Sequence, residues 1–298
     1  MAEHARATDN DAGKAASTGE RKSRELARGH YENFEIAAFI LPKRLRQDLY
    51  NVYAFLRLAD DLADESPDES EAQNVLSDWG KSLETANDND VSDPIISALR
   101  STIKRHRLSL EPFRRLLYAF RMDLTTKRWN SWDDLKHYTR HSADPVGRIV
   151  LELFDHHDPD FFALSDKICT ALQLVNHWQD VREDWDRGRV YIPRDDMRRF
   201  GVNEEDIALR LVTDRFRKLM TFEVERARSL FLAGLPLLKM VNRRLELQLA
   251  LYWGGGMRAL RAIERVDYDV LNRSAGLTAG DKRWVVFSAL KRWILPFK

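Results

Sequence analysis

The chain contains 298 residues, of which 44% are hydrophobic and 32% are charged, so it has enough apolar material for a large core. Its 48 Lys and Arg residues are balanced by 47 Asp and Glu residues, so no global basic field favours a nucleic acid as partner. The single cysteine, Cys169, excludes an internal disulfide framework, and its apolar helical surroundings predict a buried, inert thiol.

The N-terminal segment differs in composition from the rest of the chain. Residues 1–27 are rich in charged and small residues and contain no apolar run, so they resemble neither a signal peptide nor a packed segment. We predict a mobile tail over residues 1–27 and one helical domain over residues 28–298. No stretch approaches the roughly 20 apolar residues that a membrane-spanning helix needs. We therefore expect a cytoplasmic protein.

Beyond this tail, apolar residues recur at spacings of three and four, as they do on the buried face of a helix. The clearest segments are residues 34–63, 113–124, 168–181 and 216–241. Strict alternation of apolar and polar residues, which would indicate strands, is not convincing anywhere in the sequence. The pattern predicts an all-α fold.

The first of these helices carries a polar stripe between apolar flanks. Asp60 and Asp64 are four residues apart, which places both carboxylates on one helix face, a turn apart. Tyr53 and Arg57 fall on the same stripe. One interpretation is an ordinary solvated face with an ion pair between Arg57 and Asp61. The alternative is a face that borders a cavity, which the tyrosine and the apolar flanks favour.

A second segment repeats this arrangement near residue 180. Asp180 and Asp184 are again four residues apart on a predicted helix, and apolar residues cover the remainder of that helix. The other polar residues on this face are Gln173, Asn176 and His177. A helix that is polar on one narrow face only is expected to surround a polar centre.

The repetition of the acidic pair suggests its chemistry. Like charges on adjacent turns repel, so an arrangement made twice requires a compensating cation. Carboxylates are ligands that Mg²⁺ prefers, and Mg²⁺ commonly holds a substrate phosphate. A turn at residues 187–193 follows the second segment, and its Arg189 can contact phosphate oxygens. The sequence therefore predicts two Mg²⁺-binding faces, opposed across a pocket, that hold a diphosphate between them.

These segments, in this order, resemble the squalene/phytoene synthase family. The matching segments are Tyr53–Asp64, Gln173–Asp184 and Arg189–Pro193, and the resemblance extends from about residue 31 to about residue 292. It implies an isoprenoid synthase fold, with a single helical domain around a central apolar cavity. It also implies that bound Mg²⁺ helps to ionise a prenyl diphosphate.

The resemblance further implies roles for individual residues. The residues implied as metal ligands are Asp60, Asp64, Asp180 and Asp184. The residues that match other positions of the two motifs are Tyr53, Arg57, Gln173 and Asn176. Tyr252 and Arg273 are similar to residues that contact the diphosphate in relatives.

Within the family, the chain is most similar to the hydroxysqualene synthases of bacterial hopanoid pathways. The residues behind this similarity include Asn33 and Phe34, which we expect to contact substrate, residues 142–148, and Gln179, where other relatives usually have Arg. The implied reaction converts presqualene diphosphate and water into hydroxysqualene and diphosphate. His177 and Asn176 are candidates to orient or deprotonate that water.

Two other functions also fit the sequence. One is a synthase of the same family that condenses two prenyl diphosphates, such as farnesyl diphosphate, into squalene, dehydrosqualene or phytoene. The other belongs to a different class, a non-catalytic helical assembly factor. Two complete aspartate motifs weigh against the assembly factor.

Two features lie near the C-terminus. Gly254, Gly255 and Gly256 interrupt a helical run, and they indicate either room for a large group such as a prenyl tail or close helix packing. Residues 283–298 combine apolar and basic side chains. This segment could lie on an anionic membrane surface or pack on the protein core.

Overall fold

The computed structural model describes residues 17–27, 41–84 and 93–294, without the side chain of Asp64. Over these residues the backbone forms α-helices and one isolated parallel β-bridge, between Arg128 and Val190. The prediction of an all-α fold is confirmed. Asn33 and Phe34, predicted to contact substrate, lie outside the described residues.

The helices are labelled in chain order. They are α1 (17–27), α2 (Lys43–Asp64), α3 (Glu69–Glu84), α4 (Pro94–His106), α5 (Glu111–Thr125), α6 (Trp132–Ser142), α7 (Asp144–Leu153), α8 (Pro159–Gln179), α9 (Val181–Asp186), α10 (Arg194–Phe200), α11 (Glu204–Ala208), α12 (Asp214–Gly234), α13 (Leu237–Met240), α14 (Arg243–Arg265) and α15 (Ala279–Ile294). Two compact units divide them: one contains the chain up to Thr125 and Ile149–His156, and the other contains Thr126–Arg148 and the chain from His157.

The first unit is organised around α2, which packs against α3, α4 and α5. The helix buries its apolar residues at spacings of three and four, including Val52, Phe55 and Ala59. Phe55 is the centre of an aromatic cluster, because its ring stacks on Trp79 at a centroid distance of 5.3 Å and meets Phe113 edge-on at 6.1 Å. This packing fixes which face of α2 is buried, and so which face carries the first acidic motif.

Residues 17–27 differ from the sequence prediction of a mobile tail. They are helical, and Ser23 and Ala27, one turn apart, are buried. The Arg24 guanidinium donates to Gln47 Oε1 at 2.7 Å, and Gln47 Nε2 donates to the carbonyl of Glu20 at 2.7 Å. Residues 17–27 therefore form a helix that packs on α2, because small residues on one of its faces provide a packing surface without an apolar run.

The second unit is built on α8 and α12, which pack along each other, with α14 against both. Close approach is possible because Gly234 faces α8: a Cβ there would lie 2.5 Å from Ile168 Cγ1. Gly256 on α14 is similarly enclosed, since its Cβ would lie 2.2 Å from Phe231 Cζ. The packing explanation for the glycine triplet therefore applies to Gly256, whereas a Cβ on Gly255 would meet no atom within 4 Å.

Two further sequence expectations concern Cys169 and the membrane. Burial, aided by nearby Asp144, raises the pKa of the Cys169 thiol to about 12, in agreement with an inert thiol. Among the described helices, none is both long enough and apolar enough to cross a bilayer.

Candidate active site

The first acidic motif occupies the C-terminal half of α2. Arg57 binds Asp61 through two contacts, Nε to Oδ2 at 3.2 Å and Nη2 to Oδ1 at 2.5 Å, and its Nη1 lies 3.8 Å from Asp60 Oδ2. The hydrogen bond to Asp61 raises the pKa of Arg57 above its ordinary value. Arg57 thus already compensates part of the negative charge of the motif. Tyr53 lies on the same helix and is partly buried.

The second acidic motif does not lie on one continuous helix, as the sequence pattern predicted. The helix α8 ends at Gln179, Asp180 has φ −102° and ψ 20°, and α9 begins at Val181. Backbone hydrogen bonds still cross the break, from Asp180 N–H to the Asn176 carbonyl at 2.9 Å and from Asp184 N–H to the Asp180 carbonyl at 2.8 Å. The two carboxylates therefore remain one turn apart, although the helix axis is interrupted between them.

His177 is held in a stack of aromatic rings. Its imidazole lies on the Tyr191 ring at a centroid distance of 3.5 Å and an interplanar angle of 13°. Gln173 Nε2 is 3.2 Å from His177 Nε2, and Asp184 Oδ2 is 3.8 Å from His177 Nδ1. If the Gln173 amide donates, the ring proton is on Nδ1 and faces Asp184. Burial lowers the pKa of His177, an effect that Asp184 opposes and Arg189 reinforces.

Asp180 and Asn176 both keep exposed surface at the end of α8, in contrast to the buried His177. Partial burial raises the pKa of Asp180 to about 6, and the negative charges of Asp184 and Glu183 contribute to this shift. Such repulsion between neighbouring carboxylates is relieved by a cation. The chemistry of this donor set therefore fits a metal ion.

The turn after α9 holds Arg189 close to the second motif. Gly188 has φ +77°, a left-handed conformation that favours glycine, and Arg189 N–H donates to the Asp184 carbonyl at 2.7 Å. The next residue, Val190, donates its N–H to the Lys127 carbonyl at 3.0 Å. The turn that the sequence predicted is confirmed, and two backbone hydrogen bonds fix the position of Arg189.

Two predicted phosphate ligands lie further along the second unit. The Tyr252 hydroxyl accepts a hydrogen bond from Gln248 Nε2 at 3.2 Å, within α14. Arg273 lies in the loop after α14, largely exposed, with Nε 3.5 Å from Asp269 Oδ2. This loop is linked to the second motif, because Gln179 Nε2 donates to the Ala275 carbonyl at 2.5 Å. The structure therefore brings the Arg273 loop to the end of α8.

Sequence reasoning missed the turn that opens this loop. Asp267 and Tyr268 are consecutive non-glycine residues with φ 55° and 58°. Such a conformation costs roughly 1 kcal/mol or more for each residue, and it tends to occur at functional sites. Aspartate tolerates the left-handed region, but nothing in the sequence predicts that conformation for the tyrosine that follows it.

The described residues can be compared with the requirements of Mg²⁺. No three His, Cys, Asp or Glu side chains in the described part of the chain converge closely enough to hold a metal ion by themselves. Mg²⁺ is usually bound by one or two carboxylates together with substrate phosphates rather than by a full protein cage. The Asp180 and Asp184 pair meets that requirement, and Asp60 on α2 belongs to a pair of the same spacing.

Comparison with known proteins places the chain in a family. The sequence model for squalene/phytoene synthase matches residues 27–281. The chain is 36% identical over 185 residues to the hydroxysqualene synthase of Zymomonas mobilis, covering 60% of this chain and 61% of that protein. It is 29% identical to the phytoene synthase of Arthrospira platensis, covering 85% and 86% of the two chains.

A solved structure gives the same assignment. The crystal structure of squalene synthase HpnC from Alicyclobacillus acidocaldarius is 41% identical and has a TM-score of 0.80, covering 85% of this chain and 95% of that chain. This likeness confirms the isoprenoid synthase fold. The match to the family model covers more than half of the chain and includes both acidic motifs. The chain therefore belongs to the squalene/phytoene synthase family.

Proposed function

We propose that the protein is a hydroxysqualene synthase, which converts presqualene diphosphate and water into hydroxysqualene and diphosphate. The main support is its 36% identity over 185 residues to a hydroxysqualene synthase. Its 41% identity to the squalene synthase HpnC supports action on the same route and keeps squalene as an alternative product. The phytoene synthases that it matches over a comparable length are 29–30% identical. A protein with this function acts on the route to squalene and hopanoids.

The reaction balances without an oxidant or a reductant. The bond between carbon and the diphosphate oxygen breaks, the cyclopropane ring opens by rearrangement, and the oxygen of one water molecule bonds to the resulting cation. That water molecule releases one proton. Because no hydride is transferred, the proposed reaction requires no nicotinamide cofactor.

The acidic motifs have a defined part in this proposal. Asp180 and Asp184 would hold Mg²⁺ in the second unit, and Asp60 and Asp64 would do so in the first. When bound, Mg²⁺ neutralises the charge that develops on the departing diphosphate. Arg189, positioned by the backbone of Asp184 and Lys127, would donate to phosphate oxygens, as would Arg273 from its loop.

His177 and Asn176 have different proposed parts. The buried His177 ring, stacked on Tyr191 and lying between Gln173 and Asp184, is suited to hold the Asp184 carboxylate in position. The exposed Asn176 amide lies one turn before Asp180 and is suited to orient a water molecule. We therefore assign the positioning of Asp184 to His177, and the orientation of the water to Asn176.

Gln179 supports the choice of product. Relatives that condense two prenyl diphosphates usually have Arg at this position, and an Arg there would add a cation beside the carboxylate pair. In this chain the Gln179 amide instead donates a hydrogen bond to the Ala275 carbonyl, which links the Arg273 loop to the end of α8. The main alternative is condensation of two prenyl diphosphates, which the match to a phytoene synthase over 85% of this chain favours.

Product analysis of the purified full-length protein tests the proposal. The enzyme is incubated with Mg²⁺ and either presqualene diphosphate or farnesyl diphosphate, each with and without NADPH, in ¹⁸O-labelled water. Extracts are identified by mass spectrometry. We expect hydroxysqualene that carries the label from presqualene diphosphate, without dependence on NADPH.

Other products would contradict the proposal in distinct ways. Squalene, dehydrosqualene or phytoene formed from farnesyl diphosphate would establish the condensing alternative. Failure to convert either diphosphate, by a protein that is folded by circular dichroism, would favour a non-catalytic function. An unlabelled alcohol would exclude capture of the cation by water.

A further inference from the structure

The last described helix, α15, buries one line of side chains and exposes the opposite one. Asp281, Val285 and Ala289, spaced at four residues, are buried, and the helix packs against α14. On the opposite side, Phe287 and Ile294 are 66% and 65% exposed, and Leu290 between them is 39% exposed. We call Phe287, Leu290 and Ile294, together with Arg283 and Lys291, the outer face of α15.

This outer face carries positive charge without negative charge. Arg283 and Lys291 are exposed on the same side as the three apolar residues, and Lys282 is exposed beside them. The one acidic residue in the α15 sequence is Asp281. It is buried, 3.0 Å from Arg265 Nη2 and 3.6 Å from Arg258 Nη1. Nothing acidic on α15 therefore neutralises the outer face.

Two tryptophans flank the apolar residues. Trp284 is 43% exposed and lies under the Arg258 guanidinium at 3.7 Å from the ring centroid. The indole N–H of Trp293 donates to the Arg243 carbonyl at 3.1 Å. Both rings are thus anchored on the protein side while part of each remains exposed. Tryptophan in this setting is typical of surfaces that meet the lipid headgroup region.

We propose that the outer face of α15 lies on the surface of an anionic lipid bilayer. Phe287, Leu290 and Ile294 would enter the boundary between headgroups and acyl chains, and the basic residues would meet lipid phosphates. Contact with a second copy through the same face is disfavoured, because it would place cations against cations. This proposal rests on the exposed side chains alone and does not depend on the proposed reaction.

Vesicle sedimentation tests the proposal with the full-length protein. One set of vesicles contains phosphatidylcholine and phosphatidylglycerol, and the other contains phosphatidylcholine alone. We expect binding to the anionic vesicles that weakens as salt is raised. The double variants Phe287→Ser/Ile294→Ser and Arg283→Glu/Lys291→Glu should each weaken this binding roughly tenfold or more.

Matched control variants test whether a loss of vesicle binding is specific to the outer face of α15. Leu209→Ser/Leu211→Ser removes two other exposed leucines, and Lys81→Glu/Lys218→Glu reverses two other exposed charges. Both control variants should bind anionic vesicles like the parent. Circular dichroism and thermal melting confirm that all variants are folded.

Three outcomes would overturn the proposal. Equal binding of parent and outer-face variants would place any membrane contact elsewhere. Absence of binding to anionic vesicles would show that the outer face of α15 does not bind an anionic membrane. A dimer in light scattering that the outer-face variants dissociate would identify a second copy as occupant instead.

Discussion

At the scale of single residues, the carboxylate of Asp180 combines partial burial with the repulsion of Asp184 and Glu183, and its pKa is raised to about 6. Clustered carboxylates lower the stability of a folded protein until a cation neutralises them. The proposed role of Asp180 as a metal ligand and the stability of the folded protein therefore make opposite demands on this side chain.

This conflict gives a prediction for Asp180→Asn. The substitution removes one of the repelling charges, so the thermal midpoint without Mg²⁺ should stay equal or rise. Loss of the proposed metal ligand should lower kcat roughly 100-fold or more. Added Mg²⁺ and inorganic diphosphate should raise the midpoint of the parent but not of the variant.

A matched control uses the last aspartate of α9, the short helix that follows Asp180. Asp186 is exposed and lies 3.8 Å from Arg210, outside the second motif. Asp186→Asn should keep both the activity and the stabilisation by Mg²⁺ and diphosphate. Equal activity of Asp180→Asn and Asp186→Asn would exclude Asp180 as a metal ligand.

A second residue-scale prediction concerns the buried carboxyl of Glu223. Burial, aided by the nearby Asp196, raises its pKa to about 8 from 4.5, although Arg226 Nη1 lies 2.7 Å from it. The folded state then keeps a proton that the unfolded state releases above 4.5. The contribution of this group to stability is full below 4.5 and is lost as the pH rises toward 8.

Glu223→Gln removes this titration. Its free energy of unfolding should therefore change less than that of the parent across the pH window from 4.5 to about 8, as measured by urea denaturation. Glu225→Gln, an exposed neighbour on α12, is the control and should retain the pH dependence of the parent. If the free energies of unfolding of Glu223→Gln and the parent change equally with pH, this carboxyl is ionised in the folded protein.

At the scale of helices, the two central glycines of α14 provide a contrast. An added Cβ meets nothing within 4 Å at Gly255, whereas at Gly256 it would lie 2.2 Å from the fully buried Phe231 ring. Gly255→Ala should stabilise the protein by about 1 kcal/mol, because alanine favours the helix. Gly256→Ala should destabilise it by roughly 1–3 kcal/mol through overpacking. Thermal and chemical denaturation of the two variants shows whether the first is stabilised and the second destabilised.

The second acidic motif shows what periodicity can and cannot predict about a helix. The spacing of apolar residues predicted a helix over residues 168–181, and α8 covers most of that range because burial against α12 and α14 follows the spacing. The break at Asp180 could not be predicted, since the four-residue repeat continues across it. What interrupts the helix is the backbone conformation of a single residue, which composition does not encode.

At the scale of the whole molecule, the packing of α1 leads to a prediction about truncation. A chain that begins at residue 28 loses the buried surface of Ser23 and Ala27 and the hydrogen bonds of Gln47 to Arg24 and Glu20. We expect it to be less stable by roughly 2 kcal/mol or more. Ala27→Glu should have a similar effect, and the exposed Lys22→Glu should have none. Unchanged melting of the shortened chain would mean that α1 adds nothing to stability.

The sequence predicted the helical class and the family because both depend on features that repeat or occur in a fixed order. Long apolar stripes predicted the helices, and two aspartate pairs followed by the Arg189 turn indicated the family. Features that arise only from tertiary contact were not predictable. Among them are the packing of α1, the stack of His177 on Tyr191, and the bond from Gln179 to Ala275.

The bridge between Arg128 and Val190 has a consequence for folding. Two more backbone bonds extend it, from Arg194 N–H to the Trp129 carbonyl and from Asp195 N–H to the Asn130 carbonyl, each 2.9 Å long. Together they close a chain segment of about 60 residues, whose ends must meet before the bonds form. The Val190 and Arg194 amides should therefore exchange their hydrogens with solvent only when the second unit opens cooperatively, although they lie in a connecting segment. Arg189 would then keep its place for as long as that unit stays folded.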